Sequence, residues 1–185
     1  KNVPFYMYLF MFKHRIANQE DQEIIEELME SSINQMLGKM LSSDQLEAAK
    51  ESMGLDTTLI KDKTYFLIFS DNTLVGSGGY STRKTLFGGN HTPNRSDDFL
   101  TPGKDAAKVR AMYTHPKWVR KGIGSLILQL SEEESLRLGF RKCELMATVS
   151  GILLYEKRGY VVVEEIEYLS RKGNTVPMYK MEKEL

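Results

Sequence analysis

The chain has 185 residues, 41% hydrophobic and 27% charged, which suffices to bury a core as one compact domain over 1–185 and excludes a disordered polymer. Twenty-five Lys and Arg balance 25 Asp and Glu, so the clustered basic excess that nonspecific nucleic-acid binding requires is missing and any anion site must be local. Cys143 is the single cysteine, so no internal disulfide forms; without C-x-x-C or clustered His/Cys spacing no metal is expected, and a reducing cytoplasm is the expected location.

The longest strongly apolar run, 5–12, is far shorter than the roughly 20 residues of a membrane-spanning helix. It also lacks the flanks of a signal peptide. It reads as a strand continuing to about Ala17, and no membrane association is expected. Asn18, followed by Glu20, Asp21 and Glu23, supplies a helix cap with an acidic first turn. Ile24, Ile25, Leu28, Ile33, Met36 and Leu37 then keep close to helical spacing. A second helix starts at Ser43, where Ser-Asp-Gln-Leu-Glu offers a cap, and stops at Gly54.

Segments 64–69 and 74–81, joined by the polar turn Ser70-Asp71-Asn72-Thr73, form an antiparallel hairpin. Gly76, Gly78 and Gly79 in its second strand mark a bulge or a close backbone approach, with a loosened strand end as the alternative. The stretch 83–104, rich in Gly, Asn, Pro and Asp, is long for a structureless loop and is either a lid or contact surface or a solvated insertion. The rest alternates: strand 107–114, helix 122–138, strand 142–148, helix 150–158, strand 160–169 and strand 176–181. A strand, helix, strand succession implies two parallel neighbours with a right-handed crossover. The class is α+β, a mixed, mostly antiparallel sheet of six to seven strands flanked by helices, with a parallel pair around a βαβ unit.

Chemistry concentrates between strand 107–114 and helix 122–138. There Arg120, Lys121, Gly122, Ile123, Gly124 and Ser125 place two glycines, two cations and a small hydroxyl at a helix start, whose unpaired N–H groups and dipole favour an anion. Cations at that end oppose the dipole by about 0.3 to 1 kcal/mol, and a bound phosphate reverses the sign. A plain junction with solvated charges is the competing reading. The Walker pattern is absent, and the dinucleotide fingerprint would want a third glycine at Ile127.

These residues carry a resemblance. Val119-Arg120-Lys121-Gly122-Ile123-Gly124 and Leu154-Tyr155-Glu156-Lys157-Arg158-Gly159-Tyr160 resemble the two signatures of the Gcn5-related N-acetyltransferase (GNAT) superfamily, and 107–160 looks like its core. Val119 stands where the family has Gln or Arg, and Thr148 where it often has Asn. The resemblance implies the acyl-CoA N-acyltransferase fold and acetyl-CoA as cosubstrate. It implies that main-chain groups near Met112 and Thr114 bond the pantetheine arm like an added strand and that the N–H groups from Arg120 to Ser125 cradle the pyrophosphate. An amine, expected on a small molecule, attacks the thioester directly; a main-chain N–H near Thr114 holds the oxyanion, and Tyr155 protonates the departing thiolate. The two departures motivate an alternative, a catalytically weak acyl-CoA-binding regulatory module; a scaffold whose long loop recruits a protein is a third.

The remaining candidates are weaker. Cys143 has no His near it in sequence and reads as a small buried residue rather than a nucleophile. His91 and His115 lie in a loop and a Pro-bearing turn and read as solvated. Glu144 could lie in the expected splay and act through water as a general base, but it is not separable from Glu20, Asp97 or Asp98, and no base is assigned. The expected acceptor walls are 19–54, 83–104 and 171–176, whose mixed charge names no acceptor, and a homodimer is left open.

Overall fold

The computed structural model describes residues 12–185; of the expected strand 5–12, all but Phe12 lies outside the described residues. Strand β1 (Lys13–Ile16) leads through a 3-10 turn (Gln19–Asp21) to α1 (Gln22–Met36), α2 (Ser43–Ser52) and α3 (Thr57–Lys61). The hairpin β2 (Tyr65–Ser70) and β3 (Thr73–Ser81) follows, and after the long loop come β4 (Ala107–Thr114), α4 (Ile123–Arg137), β5 (Lys142–Thr148), α5 (Ile152–Lys157), β6 (Val161–Leu169) and β7 (Thr175–Glu184). The seven strands form one sheet in the order β1-β2-β3-β4-β5-β7-β6. β4 and β5 are parallel and every other pair is antiparallel.

Local chemistry sets the helix starts. The Asn18 side chain accepts the Glu20 N–H at 2.8 Å, and the Asp21 carboxylate accepts the Asn18 N–H at 2.8 Å. Arg15 forks onto the same carboxylate with two bonds of 2.7 Å, which holds Asp21 below the usual carboxylate range. The cap of α2 is Ser42, one residue before the expected start, exchanging bonds with Gln45. Helix α3 has no counterpart in the sequence reading. It is only one turn long, and Asp56 caps it by accepting the Thr58 N–H at 3.0 Å.

Apolar side chains fill both faces of the sheet. Ile25, Leu28 and Ala48 of α1 and α2 pack with Tyr65, Leu67 and Tyr113 on one face. Ile123, Leu126, Ile127 and Leu128 of α4 pack against the other, with Phe66, Val75, Val109 and Leu145. The three hairpin glycines mark close approach and not a loosened end. A Cβ on Gly78 would come within 2.7 Å of Ile127 Cγ2 and 2.9 Å of Met112 Cγ, and one on Gly76 would run into Ile123. The long loop is tied down: Arg83 forks onto Asp62 at 2.6 and 2.8 Å, and the Lys84 N–H donates to the Asp98 carbonyl at 2.9 Å. Thr85 exchanges bonds with Ser96, and Arg95 reaches Asp56 at 2.7 Å.

A Cβ at Gly79 would fall on the backbone carbonyl of Thr64, which cannot swing aside as a side chain would. Gly79→Ala is therefore expected to destabilise the fold by roughly 3 kcal/mol, at the upper end for overpacking, read as a lowered urea midpoint at unchanged slope.

Candidate active site

The site begins with a defect in β4. It pairs with β5 only at Ala107↔Cys143 and Lys108↔Glu144. Against β3, pairing runs to Gly79↔Arg110 and resumes at Ser77↔Tyr113, so Ala111 and Met112 together stand opposite the single residue Gly78. Ala111 adopts a left-handed φ of 52°, and such a bulge bends its strand. The Tyr65 hydroxyl donates to the Ala111 carbonyl and accepts from the Ser77 hydroxyl, both at 2.9 Å. Burial raises the Tyr65 phenol well above its ordinary value, so that proton stays in place. Beyond Lys108 the two parallel strands part, and the β5-facing edge of β4 from Val109 to Thr114 has no ladder partner among the described residues. A cavity of about 80 Å³ opens in the gap, lined by Met112, Leu145, Thr148 and Tyr155, and towards α2 and the long loop by Gly54, Phe87 and Arg110.

Tyr155 sits on α5, the short helix after β5. Its ring lies over Gly151, where a Cβ would come within 2.6 Å of Cε2. Tyr160 meets the ring edge-on, centroids 6.1 Å apart, and the nearest polar partner of the hydroxyl is Met112 Sδ at 3.9 Å. Burial pushes the Tyr155 phenol up to about 12, so it remains protonated throughout the neutral range.

The loop into α4 holds two left-handed residues, Arg120 at φ 63° and Gly122 at φ 88°; strain of that kind at a non-glycine residue costs on the order of 1–3 kcal/mol. The first turn of α4 closes with the Leu126 N–H on the Gly122 carbonyl at 2.9 Å. The N–H groups of Ile123, Gly124 and Ser125 therefore stand outside the helical ladder. Arg120 is exposed, and Lys121 lies with Nζ 4.1 Å from the centre of the Trp118 ring. Gly122 is needed for its backbone angle. Gly124 serves packing instead, since a Cβ there would meet Leu154 at 2.6 Å. Through Leu154, the neighbour of Tyr155, the helix start and α5 are seated against each other. Val119 is an exposed residue just before the strained turn, and Thr148 shares a 3.1 Å hydrogen bond with Ser150 at the cavity wall.

The four carboxylates considered as bases do not gather there. Glu144 faces the closed end of the parallel pair, bound to Lys108 and Lys180, and not the splay. Asp98 pairs with Lys84, Asp97 accepts a bond from Arg83 through its main chain, and Glu20 lies in the exposed turn before α1. Neither His91 nor His115 is free of partners: His115 Nδ1 accepts the Lys117 N–H at 3.2 Å, and His91 approaches the Lys50 carbonyl at 3.3 Å. The residue that sequence reasoning missed is Arg110. It is 4% exposed at the cavity wall and bonds Asp56 at 2.8 Å and the carbonyls of Thr85 and Gly88 at 2.9 and 2.6 Å. Two charged residues, Lys108 and Arg110, in an otherwise apolar strand were the available signal.

A seven-stranded mixed sheet split at its one parallel pair defines an acyl-CoA N-acyltransferase fold. The model of the acetyltransferase (GNAT) family matches residues 25–160, and the chain belongs to that family. Among solved structures, a GCN5-related N-acetyltransferase from Rhodopseudomonas palustris matches with a TM-score of 0.69 at 17% identity, covering 94% of this chain and 95% of the other. PaiA N-acetyltransferase from Thermoplasma acidophilum, in complex with coenzyme A, matches at 0.62 and 18%, over 94% and 99%. YncA from Salmonella typhimurium, a putative acetyltransferase with its cofactor acetyl-CoA, matches at 0.61 and 14%, over 95% and 94%. No curated protein sequence matches the chain. No helix among the described residues is long and apolar enough to cross a membrane.

Transfer through a cysteine would need a reachable thiolate. Cys143 is fully buried, and burial pushes its thiol up to about 11. Native protein at pH 8 is expected to leave Ellman's reagent uncoloured and to release one equivalent of colour only after unfolding in guanidinium, as one buried cysteine requires.

Proposed function

We propose that the protein transfers the acetyl group of acetyl-CoA to an amine of a small-molecule acceptor by direct attack. The observation that carries this reading is the β4 edge, unpaired among the described residues, ending beside a partly buried, protonated tyrosine. When bound, acetyl-CoA supplies an activated thioester carbonyl. The main chain near Met112 and Thr114 offers hydrogen bonds to an extended amide-bearing arm laid in the split, as an added strand would use them. The N–H groups from Arg120 to Ser125, with the Arg120 and Lys121 charges, hold the pyrophosphate at the positive end of α4. The strained Arg120 backbone supports this, because strain concentrates where a ligand clamp needs it.

Tyr155 then delivers its proton to the sulfur. A phenol near 12 is a weaker acid than an exposed one. The same burial also makes a thiolate a stronger base, so the transfer remains matched. The oxyanion is met by a main-chain N–H near Thr114, fixed by the pairing of Thr114 with Gly76. No carboxylate lines the cavity among the described residues, so the attacking amine enters neutral or gives its proton to water. The reaction is assigned to the cytoplasm, where the buried thiol stays reduced.

Tyr155→Phe is expected to lower kcat at least about 100-fold, the smaller figure for a lost general acid, with the calorimetric Kd for acetyl-CoA within about twofold of wild type; an unchanged kcat removes Tyr155 from the chemistry. The acid form is active, so activity falls only as pH rises through its pKa. With that pKa at about 12, kcat for thiol release should show no alkaline limb from Tyr155 up to about pH 10, whereas an exposed tyrosine would be half ionised there. Calorimetric titration with acetyl-CoA tests the cradle itself, and Gly122→Val should weaken binding at least tenfold by denying the left-handed angle.

A further inference from the structure

Asp56 is clamped between two guanidiniums. Its Oδ1 accepts from Arg95 Nη2 at 2.7 Å and its Oδ2 from Arg110 Nη2 at 2.8 Å. The three side chains are 1%, 18% and 3% exposed, in the order Asp56, Arg95, Arg110. The group therefore carries one positive charge in excess, in surroundings that screen it poorly. The neighbouring Arg83–Asp62 pair is neutral and does not cancel it. Among the residues lining the cavity, Arg110 alone is charged.

Arg110 also has bonding capacity to spare. Its Nη2 serves Asp56 and the Gly88 carbonyl, and one Nη1 hydrogen serves the Thr85 carbonyl. Of the five N–H donors of a guanidinium, Nε–H and the second Nη1–H have no acceptor among the described residues. A buried cluster with one positive charge in excess, whose Arg110 lines the cavity with donors to spare, favours an anion there. The walls around it are apolar: Leu86 and Phe87 from the long loop, Met53 after α2, and Met146 and Met178 across the sheet.

Resting on the acetyltransferase reading, we propose that the acceptor is an amino acid with an apolar side chain: its carboxylate meets Arg110, its side chain lies among these methionines and Phe87, and its amine faces the β4–β5 split. Polyamines and simple alkylamines, which carry only positive charge, are repelled by the same group. Loss of one ammonium proton to water frees the lone pair, which attacks the thioester carbon; the sulfur departs with the Tyr155 proton, and the second proton, shed by the acylated nitrogen, returns through water to the Tyr155 phenolate, leaving an N-acetylated amino acid and free CoA.

The test pairs each amino acid with the amine that lacks only the carboxylate, L-phenylalanine against phenethylamine and L-leucine against isoamylamine, with spermidine as a cationic probe. Thiol release should favour the amino acid in each pair by about 10- to 100-fold in kcat/KM, the range of one charge-assisted hydrogen bond. Arg110→Gln should bring the ratio near one and Arg110→Lys should restore part of it, with acetyl-CoA affinity reporting that each variant is folded. The same ligands titrated into wild-type protein, free and saturated with CoA, read recognition without turnover and without any variant. Amines acetylated or bound as well as their amino acids overturn the proposal while the transferase reading stands. If neither acetyl-CoA binding nor thiol release is found, the transferase reading fails, and titration of the free protein still decides whether Arg110 takes a carboxylate. Absence of amino-acid binding to both free and CoA-saturated protein overturns the proposal as well.

Discussion

One hydrogen bond organises the middle of this molecule: the buried Tyr65 hydroxyl on the Ala111 carbonyl. A non-glycine residue in the left-handed region costs free energy, and the surrounding structure must hold it there. Tyr65 does so from the neighbouring hairpin, with Ser77 fixing the hydroxyl in turn. Gly78 makes the distortion possible from the opposite strand, since only a residue without a Cβ leaves room for Met112 and Ile127. The bend in β4 parts the two parallel strands, and the cavity, the open strand edge and the exposure of Met112 to Tyr155 all follow from it.

A second constraint fixes the far side of the cavity. The Asp56 carboxylate caps α3, receives Arg95 from the long loop and receives Arg110 from β4. Buried charges are costly to desolvate, and the bonds of the Asp56 carboxylate to both guanidiniums offset that cost. Here the bonds join three segments distant in sequence, so the loop that forms one wall is set when the chain folds. Phe87, edge-on to Tyr168 at 6.0 Å, and the Gly88 carbonyl on Arg110 complete that wall.

The crossover unit was readable because its signals are local. The apolar spacing of Ile123, Leu126, Ile127 and Leu130, the stop at Gly139 and the following run from Lys142 specify helix and strand within a few residues. The glycine-rich turn and Tyr155 were legible for the same reason, as residue types at fixed spacing. What could not be read is non-local. Asp56 and Arg110 are 54 positions apart, and nothing in either neighbourhood points to the other. Helix α3 is too short to show a period, and its cap was hidden among loop residues. The side of the splay on which Glu144 lies is not legible either, because position along a strand says which side chains share a face but not where a parallel pair separates; the bulge decides that, and a bulge at Ala111 has no signature in β4 itself.

The parallel seam has a mechanical side. Among the described residues, two residue pairs at one end make the ladder between the β1–β4 half of the sheet and the β5–β7–β6 half, while each half is laced by long antiparallel ladders. Helix α4, which connects β4 to β5, packs mainly on the β2–β4 half and reaches the other half through Leu128 and the Glu132–Lys183 ion pair. The assembly is two stiff plates joined at a corner. Any chain segment that fills the gap with backbone hydrogen bonds changes it from a notched plate to a continuous one, so stiffness across the sheet is a property the protein shares with what it binds.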